Sequence, residues 1–199
     1  TLPLLLIPDL LFLEAASFKL SSDLGPNLLI STGNSLCEGE SIVLDANQSD
    51  LSSYSWFKDG VLQETTPNCF NCGYYTVSEP GTYSVEVTIL DDCISYGEVV
   101  IEIAPLPVGN NSILIECDVN QDGITMYNLF DASSDITNND ISLFVSDFFL
   151  NKANAIANEN PILNPSSYVN EFPFQTVFAR VVNQANCYDV AELELQTSN

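Results

Sequence analysis

The chain has no histidine, and only four of its 199 residues are basic: Lys19, Lys58, Lys152 and Arg180. The missing imidazole excludes Ser-His-Asp and Cys-His nucleophile arrangements and every histidine-ligated zinc site. The missing positive charge is as informative. Against 27 Asp and Glu the formal net charge is -23. Such a surface repels nucleic-acid phosphates and anionic membranes and attracts divalent cations; most of these acids serve simply as a solvated surface. Long apolar runs are also missing. Residues 2–13 are rich in leucine, but Pro3, Pro8 and Asp9 interrupt them. They are too short and broken to span a bilayer, and they lack the basic start of a signal peptide. The expected partners therefore include no nucleic acid and no direct membrane insertion. The chain starts at Thr1 rather than Met, and residues 1–26 read as an extended segment or the end of a preceding domain.

What is present points to a folded, all-β chain. Hydrophobic residues make up 46% of the sequence, enough for packed cores, and the length suits one large domain or two ordinary ones. Six cysteines in so polar a chain suggest an oxidising compartment. From residue 27 to 104 apolar residues alternate in short runs. Ile42, Leu44 and Ala46 form one, Tyr54 and Trp56 a second, Tyr75 and Val77 a third. Tyr83, Val85, Val87 and Ile89 form the cleanest, followed by Val99, Ile101 and Ile103. Turn signals such as Lys58-Asp59-Gly60 and Glu79-Pro80-Gly81 separate them. Short strands about ten residues apart predict a β-sandwich. Residues 105–111, opening with Pro105-Leu106-Pro107, read as a linker. Residues 112–199 read as a second sandwich, with a short helix near residues 153–159 ended by Pro161 and a terminal hairpin that turns at residues 183–186.

Three stretches carry a resemblance: Glu38-Gly39-Glu40-Ser41-Ile42-Val43-Leu44, Tyr54-Ser55-Trp56-Phe57-Lys58-Asp59-Gly60 and Gly81-Thr82-Tyr83-Ser84-Val85-Glu86-Val87-Thr88. They resemble an immunoglobulin-like domain. The resemblance implies that Trp56 fills the core and that Tyr83 forms the tyrosine corner. The positions of the family's inter-sheet cysteines fall at Ala46 and Val85, so packing replaces that disulfide. Leu36-Cys37-Glu38-Gly39-Glu40 with Asp92-Cys93 resembles the immunoglobulin-like and PKD-like repeats of large Bacteroidetes surface proteins, including gliding-motility-associated adhesins exported by the type IX pathway. Glu116-Cys117-Asp118, Asp122-Gly123, Phe130-Asp131, Asn160-Pro161-Ile162, Gln175-Thr176-Val177-Phe178-Ala179-Arg180-Val181 and Asn186-Cys187-Tyr188 resemble a second repeat of the same proteins. The implied role is a non-catalytic structural or adhesion module at the cell surface, in contact with neighbouring domains of one large chain. The alternative is a carbohydrate- or protein-binding accessory module, its partner a surface glycan or protein.

The candidate sites are cysteines and carboxylates. Cys117 opens the second unit and Cys187 lies at its last hairpin turn; in a sandwich the chain entry and that turn fall at the same end, so a Cys117–Cys187 bridge is expected. Cys69-Phe70-Asn71-Cys72 has the C-x-x-C spacing of redox motifs. It reads as a loop before a strand rather than a helix N-terminus, so a local structural disulfide is expected. Parity then pairs Cys37 with Cys93. Topology opposes this, because in an immunoglobulin-like order the two lie at opposite ends. A partner on a neighbouring domain and exchange with the Cys69/Cys72 loop stay open. Asp118, Asn120 and Asp122, with Gly123 and the Ile124 carbonyl, have the spacing of a calcium loop. Leu129 stands where a bidentate Glu is needed, so Asp131 is the nearest candidate to complete the shell. An Asx-rich turn capped by its own side chains is the competing reading. Of the aromatics, Trp56 reads as core, and at least one of Tyr74 and Tyr75 is expected to be exposed.

Overall fold

The computed structural model describes residues 23–48, 51–89 and 93–198, and the backbone of Leu20 and Ser21. Of the expected extended segment at residues 1–26, residues 1–19 and 22 lie outside the described residues. The fold is all-β and immunoglobulin-like. The strands of the first unit are β1 (Leu20–Ser21), β2 (Leu36–Cys37), β3 (Ile42–Asp45), β4 (Ser52–Lys58), β5 (Val61–Cys69), β6 (Tyr74–Val77), β7 (Gly81–Ile89), β8 (Cys93–Ile101) and β9 (Ile103–Ala104). A five-stranded sheet runs β1-β8-β7-β4-β5, and β3 pairs with β6 to form the opposite layer. Short β2 lies parallel to β9, the continuation of β8, with Cys37 opposite Ala104.

The alternation in the sequence becomes the core because every second side chain faces inward. Leu44 and Val77 from one layer meet Tyr54, Trp56, Val85, Val87, Val99 and Ile101 from the other. Trp56 is fully buried and stacks on Tyr75 at 5.4 Å, and Tyr75 continues to Tyr83 at 6.0 Å. The Tyr83 hydroxyl donates to the Glu79 carbonyl four residues upstream, 2.9 Å away, which is the tyrosine-corner bond. Ala46 and Val85 are buried in this core, packing where related domains carry a disulfide. Full burial of each large apolar side chain contributes about 1.5–3 kcal/mol. Gly73 is required by this packing, because a Cβ there would sit 2.4 Å from the Tyr54 ring.

The second unit comprises β10 (Ser112–Cys117), β11 (Met126–Tyr127), β12 (Leu143–Phe149), β13 (Tyr168–Val169), β14 (Thr176–Asn183) and β15 (Tyr188–Ser198). Its main sheet runs β10-β15-β14-β12, with β10 parallel to β15. The opposite layer is thin. It consists of the two-residue pair β11-β13, a 3-10 turn at Leu129–Ala132 and the one-turn helix α1 (Ser133–Ile136). Leu129, Ala132 and Ile136 fill the space a longer strand would occupy, and Phe130 meets Phe148 edge-to-face at 5.2 Å.

The expected helix near residue 153 is α2 (Lys152–Ala157). The Asn151 side chain caps it by accepting the Asn154 N–H at 2.9 Å, and it ends at left-handed Asn158, before Pro161. Arg180 donates to the Ala155 and Ile156 carbonyls at 2.7 and 3.1 Å and lies over the Tyr188 ring. A cation thereby meets the negative end of α2 and ties it to the sheet. Every described sheet lies wholly on one side of residues 105–111. No helix among the described residues is long and apolar enough to cross a membrane.

Candidate functional site

The two sandwiches meet at the end of the first and the last hairpin of the second. Cys37 is bonded to Cys187 there, with Cα atoms 5.6 Å apart and 150 residues between them in sequence. The partners reach the joint for simple reasons. Pairing of β2 with β9 carries Cys37 to the end of the first sandwich. The turn between β14 and β15 carries Cys187 to the near end of the second. That turn is shaped by Asn183, whose Oδ1 accepts the N–H groups of Ala185 and Cys187 at 3.0 and 3.1 Å.

Among the described residues, few other contacts cross the joint. Ala104 packs with Ala185 and Cys187, flanked by Ile30 and Cys37. Asn186 Nδ2 donates to the Gly33 carbonyl at 3.0 Å. Gly33 ends a 3-10 turn at φ 71°, and a Cβ on it would lie 3.2 Å from the Gln184 carbonyl oxygen. The chain connecting the sandwiches is docked rather than loose. Asn183 Nδ2 donates to the Pro105 carbonyl, the Gly109 N–H donates to Asp189, and the Asn110 N–H donates to the Ile136 carbonyl. A cleft of about 460 Å³ flanks the disulfide, lined in part by Glu38, Glu40, Lys152, Arg180 and Tyr188.

This pairing corrects the expectation for four cysteines. Cys117 does not bond Cys187 and Cys37 does not bond Cys93; Cys93 and Cys117 are free and exposed. The second unit begins not at Cys117 but with β10, which runs the length of the sheet before reaching it. Cys117 lies opposite Ser198, eleven positions (187 to 198) along the sheet from Cys187. At about 3.3 Å per residue that is roughly 36 Å, far beyond the reach of a bridge. The topological objection to Cys37–Cys93 holds, since Cys93 starts β8 and Cys37 lies beside the strand that follows its end. Cys69 and Cys72 form the expected local bridge, Cα atoms 6.2 Å apart.

The loop at residues 118–124 is folded on itself. Asp118 is buried, and its two carboxylate oxygens accept the N–H groups of Gln121 and Gly123 at 2.9 and 2.7 Å. Asp122 accepts the Ile124 N–H and the Asn120 side-chain amide, both at 2.8 Å. Gly123, at φ 81°, packs so closely on Pro173 that a Cβ would fall 2.5 Å from its ring. Asp131 hydrogen-bonds Asn128 instead of joining this loop. Among the described residues no three His, Cys, Asp or Glu side chains gather as metal ligands. Tyr75 belongs to the core stack, whereas Tyr74 and Phe70 are exposed near the Cys69–Cys72 bridge.

The family model described as the Flavobacterium inter-domain disulphide bond domain matches residues 113–199, which is the second sandwich. No curated protein matches the chain. Among solved structures, the Sidekick-1 immunoglobulin domains 1–4 are 11% identical over 90% of this chain and 47% of theirs, with TM-score 0.35. Murine CEACAM1b is 11% identical over 82% of this chain and 96% of its own, also at 0.35. The SGBP-B protein of the Bacteroides ovatus mixed-linkage glucan utilization locus, solved with a mixed-linkage heptasaccharide, is 10% identical over 82% of this chain and 42% of its own, at 0.31. The chain thus spans about half the length of the Sidekick-1 structure. The immunoglobulin-like assignment rests on this chain's own strand order and core.

Proposed function

We propose that the chain is a non-catalytic structural segment of a large extracellular bacterial surface protein, in which a disulfide locks two immunoglobulin-like sandwiches at a fixed angle. The observation that carries this reading is the Cys37–Cys187 bond across the joint. Domains joined by a linker and a small interface move relative to one another by default, and the other contacts here are a small apolar cluster and a few hydrogen bonds. Cys37 lies beside Ala104, where the linker begins, so the covalent tie adds a second chain connection at the joint and restricts the hinge. Two disulfides suit a compartment outside the reducing cytosol. The family match over the second sandwich agrees with the sequence resemblance to Bacteroidetes surface repeats. Export by the type IX pathway and a part in adhesion belong to the same proposal. Small-angle X-ray scattering of wild type and of the paired variant Cys37→Ser/Cys187→Ser tests it. The wild type gives one narrow distribution of inter-domain distance and the variant a broad one; identical distributions would show that the bond does not set the joint.

Calcium at the 118–124 loop is a separable part of the proposal. Asp118 is held by two backbone N–H groups and Asp131 lies elsewhere. The remaining ligands are Asn120, Asp122 and the Ile124 carbonyl, of which Asp122 must give up its bond from the Asn120 amide, and water must complete the shell. So few charged ligands hold the ion at about 10⁻⁴ to 10⁻³ M. A melting temperature that rises with calcium and loses that rise in Asp122→Ala supports the site; coincident curves in calcium and chelator leave the self-capped turn alone. The second functional reading, a glycan-binding module, draws on exposed Tyr74 and Phe70. Glycan-array binding abolished by Tyr74→Ala would favour it.

A further inference from the structure

The two free cysteines occupy the same places in their sandwiches as the two bonded ones. Cys93 lies opposite Ile89 across the β7–β8 hairpin, with three residues, 90–92, between them. Cys187 lies opposite Asn183 across the β14–β15 hairpin, where the Asn183 N–H donates to the Cys187 carbonyl and residues 184–186 again number three. At the other end the match is as close. Cys37 faces Ala104 in parallel register, eleven positions after Cys93 (93 to 104). Cys117 faces Ser198 in parallel register, eleven positions after Cys187 (187 to 198). The residue after each cysteine makes the same hydrogen bond, Glu38 N–H to the Ala104 carbonyl and Asp118 N–H to the Ser198 carbonyl.

Each sandwich therefore carries one cysteine at its hairpin end and one at its opposite end. The joint bonds the opposite-end cysteine of the first sandwich to the hairpin cysteine of the second. The equivalents differ in burial as a missing partner predicts: Cys187 is buried in the joint, whereas Cys93 and Cys117 are exposed.

We infer that Cys93 and Cys117 are the open halves of the same link, each made to bond a further sandwich of this design head to tail. Cys117 takes the hairpin cysteine of the following sandwich, and Cys93 takes the opposite-end cysteine of the preceding one. The arrangement is heterologous, so it propagates rather than closes. It makes the joint described above one rung of a covalently linked row. Each bond forms as two thiols lose two protons and two electrons. A disulfide oxidant of the thiol–disulfide oxidoreductase or glutathione disulfide class accepts them and leaves as two thiols. The inference rests on the structural reading of the Cys37–Cys187 joint but is tested apart from it.

The probe is a second copy of this chain. Cys93→Ser protein leaves Cys117 free and Cys117→Ser protein leaves Cys93 free, with the Cys37–Cys187 and Cys69–Cys72 bonds intact in both. Equal amounts are mixed in glutathione redox buffer, and non-reducing mass spectrometry counts the dimers. Random pairing gives the mixed Cys93–Cys117 dimer about a twofold excess over either self-pair; head-to-tail docking predicts about twentyfold, about tenfold above random, which corresponds to about 1.4 kcal/mol of preference. A statistical mixture, an excess of a self-pair, or no dimer at all overturns the inference. None of those outcomes bears on whether Cys37–Cys187 holds the joint, because that bond is present in every sample.

Discussion

Removing the joint bond by Cys37→Ser/Cys187→Ser should destabilise the second sandwich strongly while leaving both cores intact. With the first sandwich folded, unfolding the second leaves a closed loop from Ala104 to Cys187, 83 positions (104 to 187) of otherwise free chain. The chain-entropy relation assigns such a loop about 4.5 kcal/mol of constraint on the unfolded state. For a domain of this size each kcal/mol moves the melting temperature by about 4–8 °C, so a fall of about 20 °C or more is expected. Substitution by serine at buried Cys187 adds a smaller packing loss in the same direction. Differential scanning calorimetry reads the result directly. The first sandwich, whose core and Cys69–Cys72 bridge are untouched, should melt nearly where it did. A fall of less than about 5 °C in the second transition would refute the reasoning, since it corresponds to about 1 kcal/mol.

Other expectations follow from single contacts. Gly73→Ala places a methyl 2.4 Å from the Tyr54 ring and should destabilise the first sandwich by about 1–3 kcal/mol in urea titrations; a neutral result would mean the loop shifts freely. Gly33→Ala puts a side chain at φ 71° against the Gln184 carbonyl. The first sandwich should therefore lose about 1 kcal/mol through left-handed strain and proteolysis at residues 105–111 should quicken, while the second sandwich melts as before. The Lys58 ammonium is hydrogen-bonded to Glu79, which holds that carboxyl below the usual carboxylate range, and the same bond raises Lys58. The pair's contribution is therefore present above the ordinary carboxylate pKa. It is lost as pH falls through the lowered Glu79 value and again as pH rises through the raised Lys58 value. Both groups are exposed, so the effect on stability is small. Lys58→Met should return Glu79 to the ordinary range in carboxyl ¹³C titrations, and an unmoved curve would show that the pair does not form in solution.

Much of the first sandwich was legible because burial there has a period of two. Tyr83, Val85 and Val87 alternate in sequence and all point into the core. Edge strand β5 left no such trace. Its side chains are largely exposed, it contains Pro67, and an edge position needs neither alternation nor every N–H. In the second sandwich the turn at Leu129–Ala132 and α1 were missed because each is a single turn, too short for a helical pattern to emerge. The 118–124 spacing was visible, but spacing alone does not reveal that Asp118 turns toward its own backbone. The cysteine pairing was the largest miss. Parity counting paired cysteines within each unit, and the alternative of a partner on a neighbouring domain, kept open for Cys37 and Cys93, was not extended to Cys117 and Cys187. The direction of β10 was needed to see that Cys117 had already travelled to the far end. The signal that was available lay in comparing the two units, since each pairs a hairpin cysteine with one at its opposite end.

Non-reducing peptide mapping of the oxidised protein tests the central claim most directly. The account predicts one cross-linked species joining the Cys37 peptide to the Cys187 peptide, a closed Cys69–Cys72 loop, and alkylatable Cys93 and Cys117 in the monomer. Cys187 recovered with Cys117, or Cys37 with Cys93, would place each bond inside one sandwich and contradict it.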